Sequence, residues 1–123
     1  MDAGTILVVD DEPDIRETVA ELLRDEGYTV QTAANGAEAL QAVAHQVPAA
    51  VLLDMRMPVL DGWGFAKAIK ERGIELPILV MTAARDAQRW CDEIGAQHCL
   101  AKPFDLLDVL DKVEYIAGPP RPN

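Results

Sequence analysis

Asp10, Asp11 and Glu12 stand in a row at the end of the apolar run ILVV (6–9). A stretch built for burial that stops on three acids asks for water, a cation or a hydrogen-bond donor at its end. Further along, Asp54 closes the run AAVLL, Thr82 closes PILVM, and Lys102 follows CLA directly before Pro103. Each has an ordinary explanation alone. Asp10 to Glu12 with Pro13 read as a helix start, where acids meet the positive end of the dipole and proline suits the first turn. Asp54 reads as a loop acid before MRMP, Lys102 as a surface lysine, and Thr82 as a plain strand residue. Taken together they ask for more. Two like charges about 4 Å apart at an effective dielectric near 20 repel by roughly 4 kcal/mol, so carboxylates that face one another need a cation. A hard dication such as Mg²⁺ fits, because it takes oxygen ligands and binds through one or two carboxylates with waters and a phosphate. Lys102 then offers a fixed positive charge to an anion and Thr82 a hydroxyl donor. These are the parts for phosphoryl transfer to a carboxylate nucleophile.

The elements that must bring these groups together are legible as β-prone runs over 5–9, 29–33, 49–53, 77–81 and 99–101, alternating with segments of helical period. That rhythm predicts an α/β fold, a parallel sheet with helices on both faces, in which ligands bind outside the carboxyl ends of the strands. The candidate residues all fall at such ends. Ile15, Val19, Leu22 and Leu23 form one stripe of a first helix that Pro13 starts and Gly27 stops, and Gly36, Gly73 and Gly95 punctuate the later ones. Leu106, Leu107, Val109, Leu110 and Val113 mark the last helix, before the tail GPPRPN. TVQTA (29–33) alternates where the other runs are continuous, which places it nearer an edge.

A chain of 123 residues, half of them hydrophobic, is the size of one domain with a real core. Its net charge of −10 repels phosphate backbones, which argues against direct nucleic-acid binding and for a protein or small-cation partner. Cys91 and Cys99 lack the spacing of a zinc site or a disulfide framework and read as reduced thiols. No apolar stretch nears the roughly 20 residues of a membrane span and no signal peptide precedes TILVVDD, so a cytoplasmic protein without membrane contact is expected.

The motifs ILVVDDEPD, LLDMRMPVLDGW, PILVMTA and AKPF, in this order and spacing, resemble those of the receiver domain of a two-component response regulator, over about residues 5 to 116. The resemblance implies a doubly wound five-stranded sheet of order 2-1-3-4-5, with the domain over 1–118 and residues 119–123 a loose tail or the start of a linker. It implies that Asp54 accepts a phosphoryl group from the phosphohistidine of a sensor histidine kinase or phosphotransfer protein. Mg²⁺ would be held by Asp11, by Asp10 mainly through water, by Asp54 and by the backbone carbonyl of Arg56. Lys102 would pair with one phosphoryl oxygen, Thr82 would turn in to another, the Ala83 amide would assist, and the bond before Pro103 would be cis. The face made by the fourth helix, fifth strand and fifth helix would then dock a downstream protein. Such a domain is a switch, not a turnover enzyme: it catalyses only its own phosphorylation and dephosphorylation.

Several positions depart from the family pattern. Cys99 stands where a Tyr or Phe usually accompanies the threonine shift. TAARDAQRWCDEIG (82–95) is about two residues short, which predicts a short fourth helix with Trp90 packed on the sheet, or else exposed as an anchor. Arg56 is placed either to shield an acyl phosphate or to lie in solvent. Two other readings stand beside the switch: a non-switching receiver-like interaction module, favoured by Cys99 and the short fourth helix, and a haloacid-dehalogenase-like phosphatase. The latter needs a second Asp where this chain has Arg56.

Overall fold

Residues 5–83 and 85–120 are described by a computed structural model. Strands and helices alternate strictly: β1 (Thr5–Val9), α1 (Pro13–Asp25), β2 (Thr29–Ala33), α2 (Gly36–His45), β3 (Ala50–Asp54), α3 (Gly62–Glu71), β4 (Ile78–Ala83), α4 (Ala87–Ile94), β5 (His98–Lys102) and α5 (Leu106–Ala117). All pairings are parallel, in the order β2-β1-β3-β4-β5, so the expected doubly wound architecture is the observed one. TVQTA is indeed an edge strand. The third and fourth strands run slightly further than their apolar runs, and Asp54 and Thr82 lie inside them instead of just beyond.

The period-2 alternation of the strands divides the interior in two. Ile6, Val8, Leu52, Leu79 and Met81 face α1 and α5, where Val19, Ala20, Leu23, Val109 and Val113 close over them. Leu7, Val9, Val51, Leu53 and Val80 face the other way, against Ala39, Val43, Phe65, Ile69 and Trp90 of α2, α3 and α4. Every residue of β1 and β3 is buried. At roughly 1.5–3 kcal/mol per fully buried aliphatic side chain, these two strands anchor the sheet and fix where their last residues sit. Within the α1 stripe, Val19 and Leu23 are buried, whereas Ile15 and Leu22 are only partly covered.

Local chemistry sets the helix ends. Asn35 accepts a hydrogen bond from the Glu38 amide, Asp61 from Gly64 and Asp105 from Leu107. Pro13 opens α1 as expected, but Glu12 occupies the cap position without a side-chain cap bond. Of the acids read as a helix start, Glu12 thus stands at the cap without capping, its carboxylate directed to Lys102 instead. Gly95, with φ 70°, ends α4 in the left-handed conformation. At the C-terminal end the Tyr28 hydroxyl donates to the Gly118 carbonyl at 2.8 Å, while residues 121–123 lie outside the described residues.

The loop from β3 to α3 carries a strained residue. Val59 has φ 70° and is 81 % exposed, and the Leu60 amide donates to the Pro58 carbonyl at 2.8 Å, closing a tight three-residue turn around it. A β-branched residue is poorly suited to this region, and such strain costs on the order of 1–3 kcal/mol. Val59→Asn, which tolerates positive φ, should stabilise the fold by about 1 kcal/mol, read as a rise of roughly 4 °C in Tm. An unchanged or lower Tm would show that Val59 is not strained. The same loop is pinned at its sides. The Gly36 amide donates to the Leu60 carbonyl at 2.8 Å, and a Cβ at Gly36 would lie 2.6 Å from that oxygen. A Cβ at Gly62 would lie 2.8 Å from Met55 Cα.

Candidate functional site

Because β1 lies between β2 and β3, the chain leaves it in one direction along the sheet and returns on the other side. The crevice at the carboxyl ends of β1 and β3 is where such sheets bind ligands. Asp10 follows β1 and is fully buried, Asp54 ends β3 and is 5 % exposed, and Thr82, in β4, is also buried. Carboxylate oxygens of Asp10, Asp11 and Asp54 lie within 4.8 Å of one another. Lys102, the last residue of β5, paired in register with Ala83, reaches into the same group. Its Nζ is 3.0 Å from Asp10, 3.4 Å from Glu12 and 3.8 Å from Asp54. The Lys102–Pro103 peptide is cis.

Asp10 is the most constrained member. Its Oδ2 takes the Lys102 ammonium, its Oδ1 accepts from the Glu12 amide at 2.9 Å, and its carbonyl accepts from Arg16 at 2.9 Å. With both carboxylate oxygens used, it is fixed in place, while Asp54 has a longer approach to Lys102 and a side-chain contact with Asp11. The electrostatics follow. Burial, then the Asp10 charge, push the Asp54 carboxyl up to about 7, with Lys102 working against them and Asp11 adding to the rise. Burial alone would lower the Lys102 ammonium, but the hydrogen bond and charge of Asp10, with Asp54 and Glu12, outweigh it and hold its pKa above the usual value. One cation among this many acids leaves a net negative pocket, and the donor set is all carboxylate oxygen. Both properties fit a hard dication held by Asp10, Asp11 and Asp54.

Arg56 follows Asp54 by two residues, yet its side chain is turned to α4. Its guanidinium lies 5.1 Å from the centre of the Trp90 ring, with that of Arg89 at 5.9 Å. Trp63 meets Trp90 edge to face at 4.9 Å and donates to Glu93 at 2.9 Å. Trp90 is 4 % exposed, so of its two readings the packed one holds. An open hollow of about 460 Å³ beside the carboxylates is lined by Asp11, Met55, Arg56, Met57, Pro58, Asp61 and Trp63. Cys99 is half-buried with its thiol 3.7 Å from the Gln88 side chain of α4, and His98 lies edge-on to Tyr115 at 5.0 Å. Sequence reasoning missed Glu12 as a partner of Lys102, Arg16 as the clamp on Asp10, and the stacking of Arg56 on Trp90. Only Arg16 had a signal, one helical turn after the acids.

Comparison with known proteins agrees with this arrangement. The family model for the response regulator receiver domain matches residues 6–114. Among curated proteins the chain is 40 % identical over 116 residues to the DNA-binding transcriptional regulator NtrC of Escherichia coli K12, covering 93 % of this chain and 25 % of that protein. It is 42 % identical over 114 residues to the response regulator MprA of Mycobacterium ulcerans, covering 90 % and 49 %. The chain thus spans between a quarter and a half of the length of these relatives. Among solved structures, the receiver domain of NtrX from Brucella abortus superposes with a TM-score of 0.84 at 34 % identity, covering 91 % of this chain and 97 % of that one. The chemotaxis protein CheY4 of Vibrio cholerae does so with a TM-score of 0.82 at 32 % identity, covering 92 % and 98 %.

Proposed function

Since the chain belongs to the response regulator receiver domain family, we propose that it is a phosphoacceptor switch of a two-component system in which Asp54 takes a phosphoryl group from the phosphohistidine of a sensor kinase or phosphotransfer protein. The observation that carries this reading is the convergence of Asp10, Asp11 and Asp54 within 4.8 Å around the Lys102 ammonium. Asp54 Oδ attacks phosphorus, the nitrogen–phosphorus bond of the donor breaks, and its electron pair returns to the imidazole. Asp54 is suited to this role because, of the two buried carboxylates, it has the looser approach to Lys102, 3.8 Å against 3.0 Å for Asp10. Asp10, Asp11, Asp54 and the Arg56 carbonyl would hold Mg²⁺, which when bound supplies charge neutralisation for the transferring group. Lys102 neutralises a phosphoryl oxygen, the Thr82 hydroxyl donates to another, and the Ala83 amide assists.

An acyl phosphate adds about two negative charges beside the end of β4, and drawing Thr82 toward them biases the α4-β5-α5 face between two arrangements. Couplings of about 1–3 kcal/mol are typical of such switches and suffice to retune docking of a downstream protein. The domain acts by protein contact in the cytoplasm, not through nucleic acid or a membrane, and performs only its own phosphotransfer and dephosphorylation. Among the described residues no helix is long and apolar enough to cross a membrane.

Intact mass after incubation with phosphoramidate is the test. The expected result is the gain of one phosphoryl group in Mg²⁺ and none when EDTA removes it. No gain, together with no beryllofluoride binding, would leave the non-switching interaction module. Steady hydrolysis of small phosphate esters would point to the phosphatase reading instead.

A further inference from the structure

Two thiols meet on the output side of the fold, one from α4 and one from β5. Cys91 is buried and Cys99 half-buried, and both belong to the apolar layer between the sheet and α2, α3 and α4. Cys99 pairs in register with Val80, whose side chain lies in that layer, so Cys99 faces α4. Its sulfur contacts Gln88, three residues before Cys91 and on the same helical face. Cys91 in turn contacts the Ala96 carbonyl at 3.4 Å. The two thiols also act on each other: after burial, the charge and hydrogen bonding of Cys99 are the next causes that push the Cys91 thiol up to about 12. Neither sulfur has a role in the carboxylate site.

We propose that Cys91 and Cys99 form a dithiol that a peroxide closes to a disulfide, tying α4 to β5. Cys99, the accessible partner, attacks one peroxide oxygen; the O–O bond breaks, water leaves, and Cys99 becomes a sulfenic acid. The Cys91 sulfur then attacks the Cys99 sulfur, the S–O bond breaks, and the hydroxyl departs as water with the Cys91 proton. In sum two thiols lose two electrons and two protons and one peroxide becomes two waters. Burial keeps peroxide from the Cys91 sulfur, so the order of events is set by access. Transient disulfides of this kind are the usual form of redox sensing in reducing compartments. The bond itself is independent of the phosphoacceptor reading; only its effect on output rests on it, because α4 and β5 are two of the three elements of the docking face and a covalent tie opposes their relative movement.

The test uses the whole chain, reduced, desalted without oxygen, and treated with stoichiometric hydrogen peroxide in the presence of dimedone. The expected wild-type product has lost the mass of two hydrogen atoms and carries no dimedone. Trypsin leaves both cysteines on one peptide, since no Lys or Arg lies between Cys91 and Cys99, so cleavage after Glu93 is used and should give the two flanking peptides joined. Cys91→Ser should instead accumulate one dimedone adduct at Cys99, and Cys99→Ser should stay unmodified while folded. A wild-type chain that takes up dimedone as Cys91→Ser does, or that is not oxidised at all while folded, would overturn the proposal. The wild-type measurement alone decides this, whatever either variant's stability.

Discussion

Asp54→Asn should take up no phosphoryl group from phosphoramidate in Mg²⁺, and it should be more stable than the wild type above neutral pH. The first result follows from losing the only nucleophile assigned. The second follows from what that nucleophile costs the fold. The Asp54 carboxyl is raised to about 7, by burial first and by the charge of Asp10 next, against 3.8 in the unfolded chain. Between these two values the folded state binds a proton that the unfolded state has released, so the contribution of Asp54 to stability falls as pH rises from about 4 to about 7 and is fully unfavourable above that. A shift of this size would be worth about 4 kcal/mol if undiluted; water at the open rim of the site reduces it to roughly 2 kcal/mol. Thermal unfolding in EDTA should therefore place the Asp54→Asn variant about 8 °C above the wild type at pH 8 and level with it near pH 4. An equal Tm at pH 8 would mean that Asp54 is not strained by its surroundings.

Lys102→Met should do the opposite. Removing the ammonium leaves the carboxylate of Asp10, fully buried, without its ion pair, and breaking a buried pair from one side costs on the order of 3 kcal/mol. Unfolding in EDTA at pH 7 should show that loss, and Mg²⁺ should restore part of it, because a cation bound only by the folded state stabilises it by mass action. Phosphoryl uptake should slow by about 100-fold even with Mg²⁺, the usual consequence of losing one charged group at a transferring oxygen. Wild-type uptake by this variant would remove Lys102 from the mechanism, and wild-type stability in EDTA would mean the ion pair at 3.0 Å contributes nothing.

The strand ends were readable from the chain because burial forces apolar runs there, and an acid, threonine or lysine that interrupts such a run must face an edge of the sheet. That logic placed Asp10, Asp54, Thr82 and Lys102 on one rim before any coordinate, and the glycines gave the helix limits. What it missed depended on long side chains. Arg56 stacks on Trp90, and Glu12 joins Lys102 instead of capping α1, because several partners lie within reach of a flexible chain and only the assembled fold selects one. The neighbouring thiols are of the same kind. A spacing of eight residues carries no signal, and the contact exists because α4 is laid back over β5.

The loop between β3 and α3 is wedged where two glycines admit the backbone and a methyl group would not fit: Gly36 against the Leu60 carbonyl and Gly62 against Met55. At those two points the close approach is to the main chain of Leu60 and Met55, which has no rotamer to change. The same loop also sends Arg56 over Trp90, itself packed edge-on to Trp63, a contact between side chains that can change rotamer. The segment that follows Asp54 is thus stiff in its backbone and adjustable in its side chains, and its stiffness is set by the absence of two Cβ atoms.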